Sequence, residues 1–504
     1  MFSLATPITA LINKSFSCNK FPDRLKVGKL QPLFKKGDKT VPQNYRPISQ
    51  LSIISSIIEK VATEQFNEHC KSTGIHCKTA FGFKKMHSCQ DALIVTRHFI
   101  EMKLAQKKFV LIFQTDLSRA FDTVESNEIL PAKLAHFGMS DNSVKWMKSF
   151  FHNRKQYTVW NGTKSSETEL HNISICQGSN QGPSCYNLYQ LDISKCSNFQ
   201  SVGFADDQVY ILSADSIEEL ISQAQIEVNK VLEYLKANFL SLNESKCEFM
   251  ICRPKDKRKV IKQKLQLNST EIIEAESMTF LGTILNNNLD FKPQIRMVIK
   301  RMQNAIHALI RSKYTLSYKA KILIYNGIFK PILDYSALCW LDKLKQKDKD
   351  VITKLQKRAV RLIFKSRFNT HTAKLFKISK IVPFEHIFER ESIIFCKKLQ
   401  NNELPTIFQE LMGEFQISNV RKAYQNTIKI PSNYKQGQIL FNIAKCWNNC
   451  DSKYKNVSKT NTTKSLYKSD IIKKLEKWSC ERTRCYMCNR DAEVDFEAYA
   501  GIRK

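Results

Sequence analysis

Gln200-Ser201-Val202-Gly203-Phe204-Ala205-Asp206-Asp207-Gln208-Val209-Tyr210-Ile211-Leu212 sets two adjacent aspartates between two short apolar runs. Val209 to Leu212 is β-branched and aromatic, which predicts a strand. The aspartates then fall in a turn between strands, where short carboxylates are at home. Two acids at one hairpin tip repel each other and need a positive partner. Carboxylate oxygens suit a divalent cation such as Mg²⁺. An Asp-Asp turn alone is more often a solvated loop, so the rest of the chain must supply a third carboxylate and a use for the metal.

Outward from that stretch, composition narrows the use. The chain has 504 residues, enough for about two to four domains. Hydrophobic residues make up 42%, so a large core can form. The formal net charge of +32 repels itself in a compact state and calls for an anionic partner. Nucleic acid answers best, because neutralised phosphates release counterions. The 16 cysteines lack regular spacing and no secretory leader is evident, which predicts reduced thiols in cytoplasm or nucleus. No run of 18 apolar residues occurs, so no transmembrane segment is expected.

The third carboxylate lies upstream. Phe109-Val110-Leu111-Ile112-Phe113 is a near-continuous apolar run, the mark of a buried strand, and it ends in Thr115-Asp116. An acid there is costly unless paired or metal-bound. Asp122 reads as the start of the following helix. Further strands are expected over Lys26–Phe34, Cys247–Cys252 and Phe280–Leu285, and an extended segment over Asn44–Ser49, since Pro47 disfavours helix before it. The two basic elements on either side of Gly37 suggest a hairpin, either one that reaches over phosphates or a plain surface hairpin. Helical spacing marks Ser52–His69, Ser88–Gln106, Ser216–Asn238, Ile295–Ile310 and Val351–Phe364. Acids at two strand ends among alternating strands and helices suit an α+β, palm-like sheet. The basic faces of the last two helices suit a duplex backbone or plain solvent. Residues 371–504 read as mainly helical and basic. Cys480, Cys485 and Cys488 fall short of the four ligands of a structural zinc site.

Several segments, in this order, resemble the reverse transcriptase of non-LTR (LINE-type, Jockey-like) retrotransposons. They are Leu33-Phe34-Lys35-Lys36-Gly37-Asp38, Asn44-Tyr45-Arg46-Pro47-Ile48-Ser49 and Phe81-Gly82-Phe83-Lys84-Lys85 through Asp91-Ala92-Leu93. Asp116-Leu117-Ser118-Arg119-Ala120-Phe121-Asp122, Gln177-Gly178-Ser179, Phe204 to Asp207, Asn243 to Lys246 and Phe280-Leu281-Gly282 follow. Each motif is weak alone, and their order and spacing are specific. The resemblance runs from about Leu11 to Phe364 and implies a right-hand polymerase fold. Residues 1–286 would be fingers and palm, 287–370 a helical thumb-like region, and 371–504 a region of unknown role. The chain would begin inside the fingers, as an N-terminally truncated copy.

By the same resemblance, Asp116, Asp206 and Asp207 match the catalytic carboxylates that bind two Mg²⁺ ions, with Mn²⁺ as a substitute. Lys36 (or Lys35) and Arg46 match the grip on the triphosphate. Phe121 matches the steric gate against a ribose 2′-hydroxyl, and Gln177 and Gly178 match the pocket floor. Lys246 resembles the lysine that protonates leaving pyrophosphate, and Phe280, Leu281 and Gly282 resemble the primer grip. The implied partners are an RNA template, a DNA primer and deoxynucleoside triphosphates. The sequence departs from the pattern at Asn180-Gln181-Gly182-Pro183-Ser184-Cys185, at Gln190 where an aliphatic is usual, and at Cys176 where proline is common. Buried polar groups there are destabilising unless hydrogen-bonded. A second reading is therefore a catalytically decayed relic that binds nucleic acid without extending a primer. An intron-encoded reverse transcriptase fits the Phe81–Leu93 segment less well, and a viral RNA-dependent RNA polymerase fits Phe121 and residues 177–179 less well.

Overall fold

The computed structural model describes residues 2–476 apart from 76, 171–174, 255, 257–260, 413–414 and 421–422. The cysteines at 480, 485 and 488 lie outside the described residues. The chain divides into two compact units. The first comprises residues 1–85, 111–249 and 260–274, and the second residues 86–110, 250–259 and 275–504.

The first unit is built on two larger sheets, beside a two-stranded hairpin of Lys264–Leu267 and Thr270–Ile273. Strands β1 (Val27–Phe34) and β2 (Tyr45–Gln50) form the expected antiparallel hairpin around Gly37, from Lys29 opposite Gln50 to Phe34 opposite Tyr45. β3 (Phe109–Thr115) is the apolar strand, with Phe109 to Phe113 all buried. β4 (Arg154–Trp160) pairs in parallel with β1 and carries β5 (Thr163–Lys164) and β6 (Thr168–Leu170). β7 (Gln200–Phe204), β8 (Asp207–Ala214) and β9 (Glu248–Cys252) complete a second sheet in the order β7-β8-β3-β9. Its centre is β8 and β3, so the strand after the Asp-Asp turn lies beside the strand that ends at Asp116.

Helix starts follow their caps. The Ser52 hydroxyl accepts from the Ser55 amide at the head of Ile53–Ser72, and Ser216 accepts from Glu219 at the head of Ile217–Ala237. Each such bond contributes about 1 kcal/mol. Ile217–Ala237 buries Leu220, Ala224, Val228, Val231 and Leu235 on one face, the stripe that its spacing predicts. Asp122 departs from expectation. It lies in a turn, and the next helix begins at Ile129 (Ile129–His136). The Asp122 carboxylate accepts a bond from Gln177 instead of capping a helix.

The second unit holds Cys89–Ala105, a helix buried without interruption from Asp91 to Glu101. It also holds Lys292–Arg311 and Gln346–Ile363. Both are amphipathic, and Arg296, Lys300, Arg301, Lys354 and Arg358 are exposed on them. Phe280 to Leu285 is not one strand. Two short antiparallel strands, Ser277–Phe280 and Thr283–Asn286, meet at a Leu281-Gly282 turn with φ of 46° and 71°. Positive φ at both central residues is what a tight two-residue hairpin demands. The C-terminal part is mainly helical as expected, but it also contains an antiparallel hairpin of Phe415–Val420 and Ala423–Ile428. Among the described residues no helix is long and apolar enough to cross a membrane.

Candidate active site

Phe204 pairs with Asp207, which leaves Ala205 and Asp206 as the turn between β7 and β8. Ala205 takes φ of 58°, a left-handed conformation that the tight reversal requires. Asp206 is exposed and Asp207 is half-buried. Burial, then the negative charges of Asp206 and Asp116, push the Asp207 carboxyl up to about 6. Asp206 in the turn and Asp116 after the adjacent strand therefore both act electrostatically on Asp207. Two acids whose charge raises the proton affinity of a third beside them form a donor set that fits a divalent cation.

Asp116 is stitched to the segment that carries Lys246. The Asn243 amide donates to the Asp116 carbonyl at 2.8 Å, and the Ser118 amide donates to the Ser241 carbonyl at 2.7 Å. Lys246 Nζ then stands 2.9 Å from Asp116 Oδ2, with both groups substantially exposed. Among the described residues no three His, Cys, Asp or Glu side chains close into a ready-made metal cluster. The cation at Asp116 in this structure is Lys246.

A contact that sequence reasoning did not foresee fixes the turn from behind. The Phe81 amide donates to the Gly203 carbonyl at 2.7 Å, and the Gly203 amide donates to Thr79 at 2.9 Å. This lays Gly82 against the turn backbone. A Cβ on Gly82 would sit 2.2 Å from the Ala205 nitrogen. Asn187 Nδ2 donates to the Gly82 carbonyl at 2.9 Å and holds the approach. The one available sequence signal is a glycine between two phenylalanines, a sign of close backbone approach. Gly82→Ala should displace Ala205 and the aspartates beside it. The expected loss is about 2 kcal/mol of stability from overpacking and about 100-fold in any activity of the turn, as for a 1 Å misplacement. Urea denaturation beside an activity assay checks both, and an alanine variant equal to wild type in both removes the contact from the account.

Phe121 stacks on Tyr186 with ring centroids 4.5 Å apart and 20° between planes, and Phe83 meets it edge-on at 5.9 Å. Gln177 Nε2 donates to Asp122 Oδ1 at 3.2 Å, and burial raises the proton affinity of Asp122. The Gln177 carbonyl accepts from the Ser49 amide at 2.7 Å, so β2 rests on Gln177-Gly178. Gly178 has φ of 120°, and a Cβ there would lie 2.4 Å from the Ser49 carbonyl oxygen. Glycine is needed on both counts. The same β1–β2 hairpin carries Lys35, Lys36 and Arg46, all exposed, with Gly37 at φ of 92° in its connection. Phe280, Leu281 and Gly282 belong to the second unit, where the Tyr335 hydroxyl donates to the Leu281 carbonyl at 2.6 Å.

The departures at 180–190 are satisfied. The Asn180 amide donates to Glu59 Oε2 at 2.8 Å, and Asn180 Nδ2 donates to the Ser56 carbonyl at 3.1 Å. The Thr63 hydroxyl donates to Gln181 Oε1 at 2.6 Å. The polar partners all lie on Ile53–Ser72, more than 110 residues upstream. Gln190 Nε2 donates to the Tyr186 hydroxyl, and Gln190 Oε1 accepts from Gln208 at 3.1 Å.

Residues 34–285 match the family model described as reverse transcriptase (RNA-dependent DNA polymerase). Among curated relatives, a probable RNA-directed DNA polymerase from transposon BS of Drosophila melanogaster is 22% identical over 79% of this chain and 45% of its own length. That from the X-element of the same organism is 24% identical over 66% and 37%, and that from mobile element jockey is 23% identical over 65% and 36%. The chain thus spans less than half the length of these relatives. Among solved structures, apo telomerase from Candida tropicalis is similar with a TM-score of 0.38 at 12% identity, over 75% of this chain and 62% of that one. Telomerase from Candida albicans has a TM-score of 0.36 at 10% identity, over 74% and 64%. The motifs, the sheet that carries the aspartates and the matched half of the sequence agree: this chain belongs to the reverse transcriptase (RNA-dependent DNA polymerase) family.

Proposed function

We propose that the chain is an RNA-directed DNA polymerase that adds deoxynucleotides to a primer 3′ end. The observation that carries the reading is the convergence of Asp116, which follows β3, with the Asp206–Asp207 turn of the adjacent β8, close enough that Asp206 and Asp116 both raise the Asp207 carboxyl. Asp116, Asp206 and Asp207 would hold two divalent ions, Mg²⁺ or Mn²⁺. When bound, such ions acidify the primer 3′-hydroxyl and neutralise charge that builds on the transferred phosphoryl group.

The chain's own residues do the rest. Lys36, with Lys35 beside it, and Arg46 grip the triphosphate from the β1–β2 hairpin, Arg46 as a fixed fork of donors. Gln177 and Gly178 form the floor of the nucleotide pocket, where backbone without a Cβ permits close approach. Phe121 excludes a ribose 2′-hydroxyl by volume. Lys246 Nζ, which pairs with Asp116, delivers a proton to the leaving pyrophosphate. Phe280, Leu281 and Gly282 hold the primer terminus. Residues 1–286 act as fingers and palm and 287–370 as a thumb, with an RNA template and a DNA primer as partners.

The test is primer extension on a primed RNA template with deoxynucleotides and Mg²⁺, with Asp206→Ala as the control. Wild type should extend, and the variant should not. Template binding by both proteins without extension by either would sink the reading and leave a nucleic-acid-binding relic.

A further inference from the structure

We infer that Gln190 is a positioning residue for sugar selection, because it ties Gln208, at the foot of the Asp206–Asp207 turn, to Tyr186, the ring that backs Phe121. The inference rests on the polymerase reading in taking Phe121 as the residue that faces the incoming sugar.

The relay is continuous and buried. Gln208 follows Asp207 directly and is 6% exposed. Its Nε2 donates to Gln190 Oε1 at 3.1 Å and to the Ala205 carbonyl at 3.4 Å. Gly203 opposite makes room, since a Cβ there would lie 2.4 Å from Gln208 Oε1. Gln190, also 6% exposed, passes the connection on by donating to the Tyr186 hydroxyl, and Tyr186 is fully buried. Tyr186 lies nearly parallel to Phe121 with 4.5 Å between ring centroids. A buried amide that loses its partners is destabilising, so Gln208, Gln190 and Tyr186 keep one arrangement as a set. The tilt of Tyr186 then fixes the face on which Phe121 rests. An aliphatic at 190, the side chain that the motif pattern leads one to expect, fills the space but leaves the Tyr186 hydroxyl and Gln208 unconnected. The clearance beside Phe121 is therefore set by a polar relay anchored to the catalytic turn.

The experiment uses the full chain on a primed oligo(rA) template, as wild type, Gln190→Leu, Tyr186→Phe and the double variant. Equilibrium binding of dTTP and of UTP is measured with Ca²⁺ in place of Mg²⁺, and the same proteins are then assayed for extension. Wild type should prefer dTTP. Gln190→Leu should lower the dTTP-over-UTP ratio about tenfold, of the order expected for loss of one buried hydrogen bond. Tyr186→Phe keeps the stacked ring and should do the same, and the double variant should be no worse than either single one. Tyr186→Phe carries the test alone if Gln190→Leu does not fold. A ratio within twofold of wild type in the singles, effects that multiply in the double, or a wild type without sugar preference overturns the relay. Extension by wild type with an unchanged ratio sinks the relay and leaves the polymerase reading. A shifted ratio without extension by wild type leaves the relay and sinks that reading.

Discussion

Asp207→Asn should abolish primer extension, by about 1,000-fold or more as for removal of a group that stabilises developing charge, and should make the metal-free protein more stable at neutral pH. The two outcomes share one cause. Burial and the charges of Asp206 and Asp116 raise the Asp207 carboxyl to about 6 in the folded protein, against an ordinary value near 4. A raised carboxylate pKa means that the folded state binds the proton more tightly than the unfolded chain does. Its contribution to stability is thus fully present below about pH 4 and is lost as pH rises through about 6. At pH 7 to 8 the folded metal-free protein carries an ionised Asp207 that its surroundings disfavour. Asparagine removes that charge at nearly constant shape. Melting temperature from pH 4 to 8 in chelator is the measurement, read as variant minus wild type so that other titrating groups cancel. The difference should be smallest near pH 4 and grow towards pH 7. Added Mg²⁺ should raise the melting temperature of wild type more than that of Asp207→Asn. A flat difference across the range, or equal Mg²⁺ effects, would show that Asp207 does not sit in the field described.

Which parts of this site were legible in advance follows from how local each signal is. The apolar run before Asp116 and the run after Asp207 each predict a strand from their own residues. The acids fall at strand ends for the same reason. The helical spacing that begins at Ser52, Ser88 and Ser216 is also local, and each helix starts there, capped by that serine. Long-range complementarity is not written locally. Asn180 and Gln181 look like faults until Glu59, Ser56 and Thr63 are seen to meet them. Gly82 looks like a loop glycine until Ala205 lies against it. Asp122 misled because an acid shortly before a helix resembles its start, whereas here its carboxylate serves Gln177. The hairpin of Phe415–Val420 and Ala423–Ile428 lay in a region read as mainly helical by pattern, and two six-residue strands are too short to break that pattern.

Arg97→Leu should destabilise the second unit by about 3–5 kcal/mol, because it breaks a buried ion-pair network by removing one partner. Arg97, on Cys89–Ala105, is fully buried. Its guanidinium grips Asp342 with two bonds of 2.6 and 2.7 Å, reaches Glu101 at 2.9 Å, and donates to the Cys339 carbonyl at 2.8 Å. Lys343 stands 3.0 Å from Glu101, so two cations face two carboxylates. Asn442 donates to Asp342 and the Ile439 amide donates to Glu101, each at 2.8 Å. Burial works to raise Asp342, but Arg97 outweighs it and holds the carboxyl below its usual range. Its contribution is present above about pH 4 and lost as pH falls below that. With leucine at 97, Asp342 keeps burial and loses its partner, so the sign reverses and the variant should be least impaired in acid. Urea denaturation followed by tryptophan fluorescence reads the effect, since Trp340 and Trp447 are both fully buried in this unit. The double variant Arg97→Leu, Asp342→Leu, which removes both charges, should recover much of the loss. A single variant with an unchanged midpoint would show that the network is not formed. The prediction also bears on where the polymerase unit ends. Arg97 lies inside the family-matched region, residues 34–285, whereas Asp342, Lys343, Ile439 and Asn442 lie beyond it. A chain cut after residue 370 would keep Arg97 with Asp342 but strip Ile439 and Asn442 from the two carboxylates. It should unfold at lower urea than the full chain, by about 1–3 kcal/mol for buried hydrogen-bonding groups left unsatisfied. Residues after 371 thus complete the core around a helix that the polymerase motifs alone do not cover.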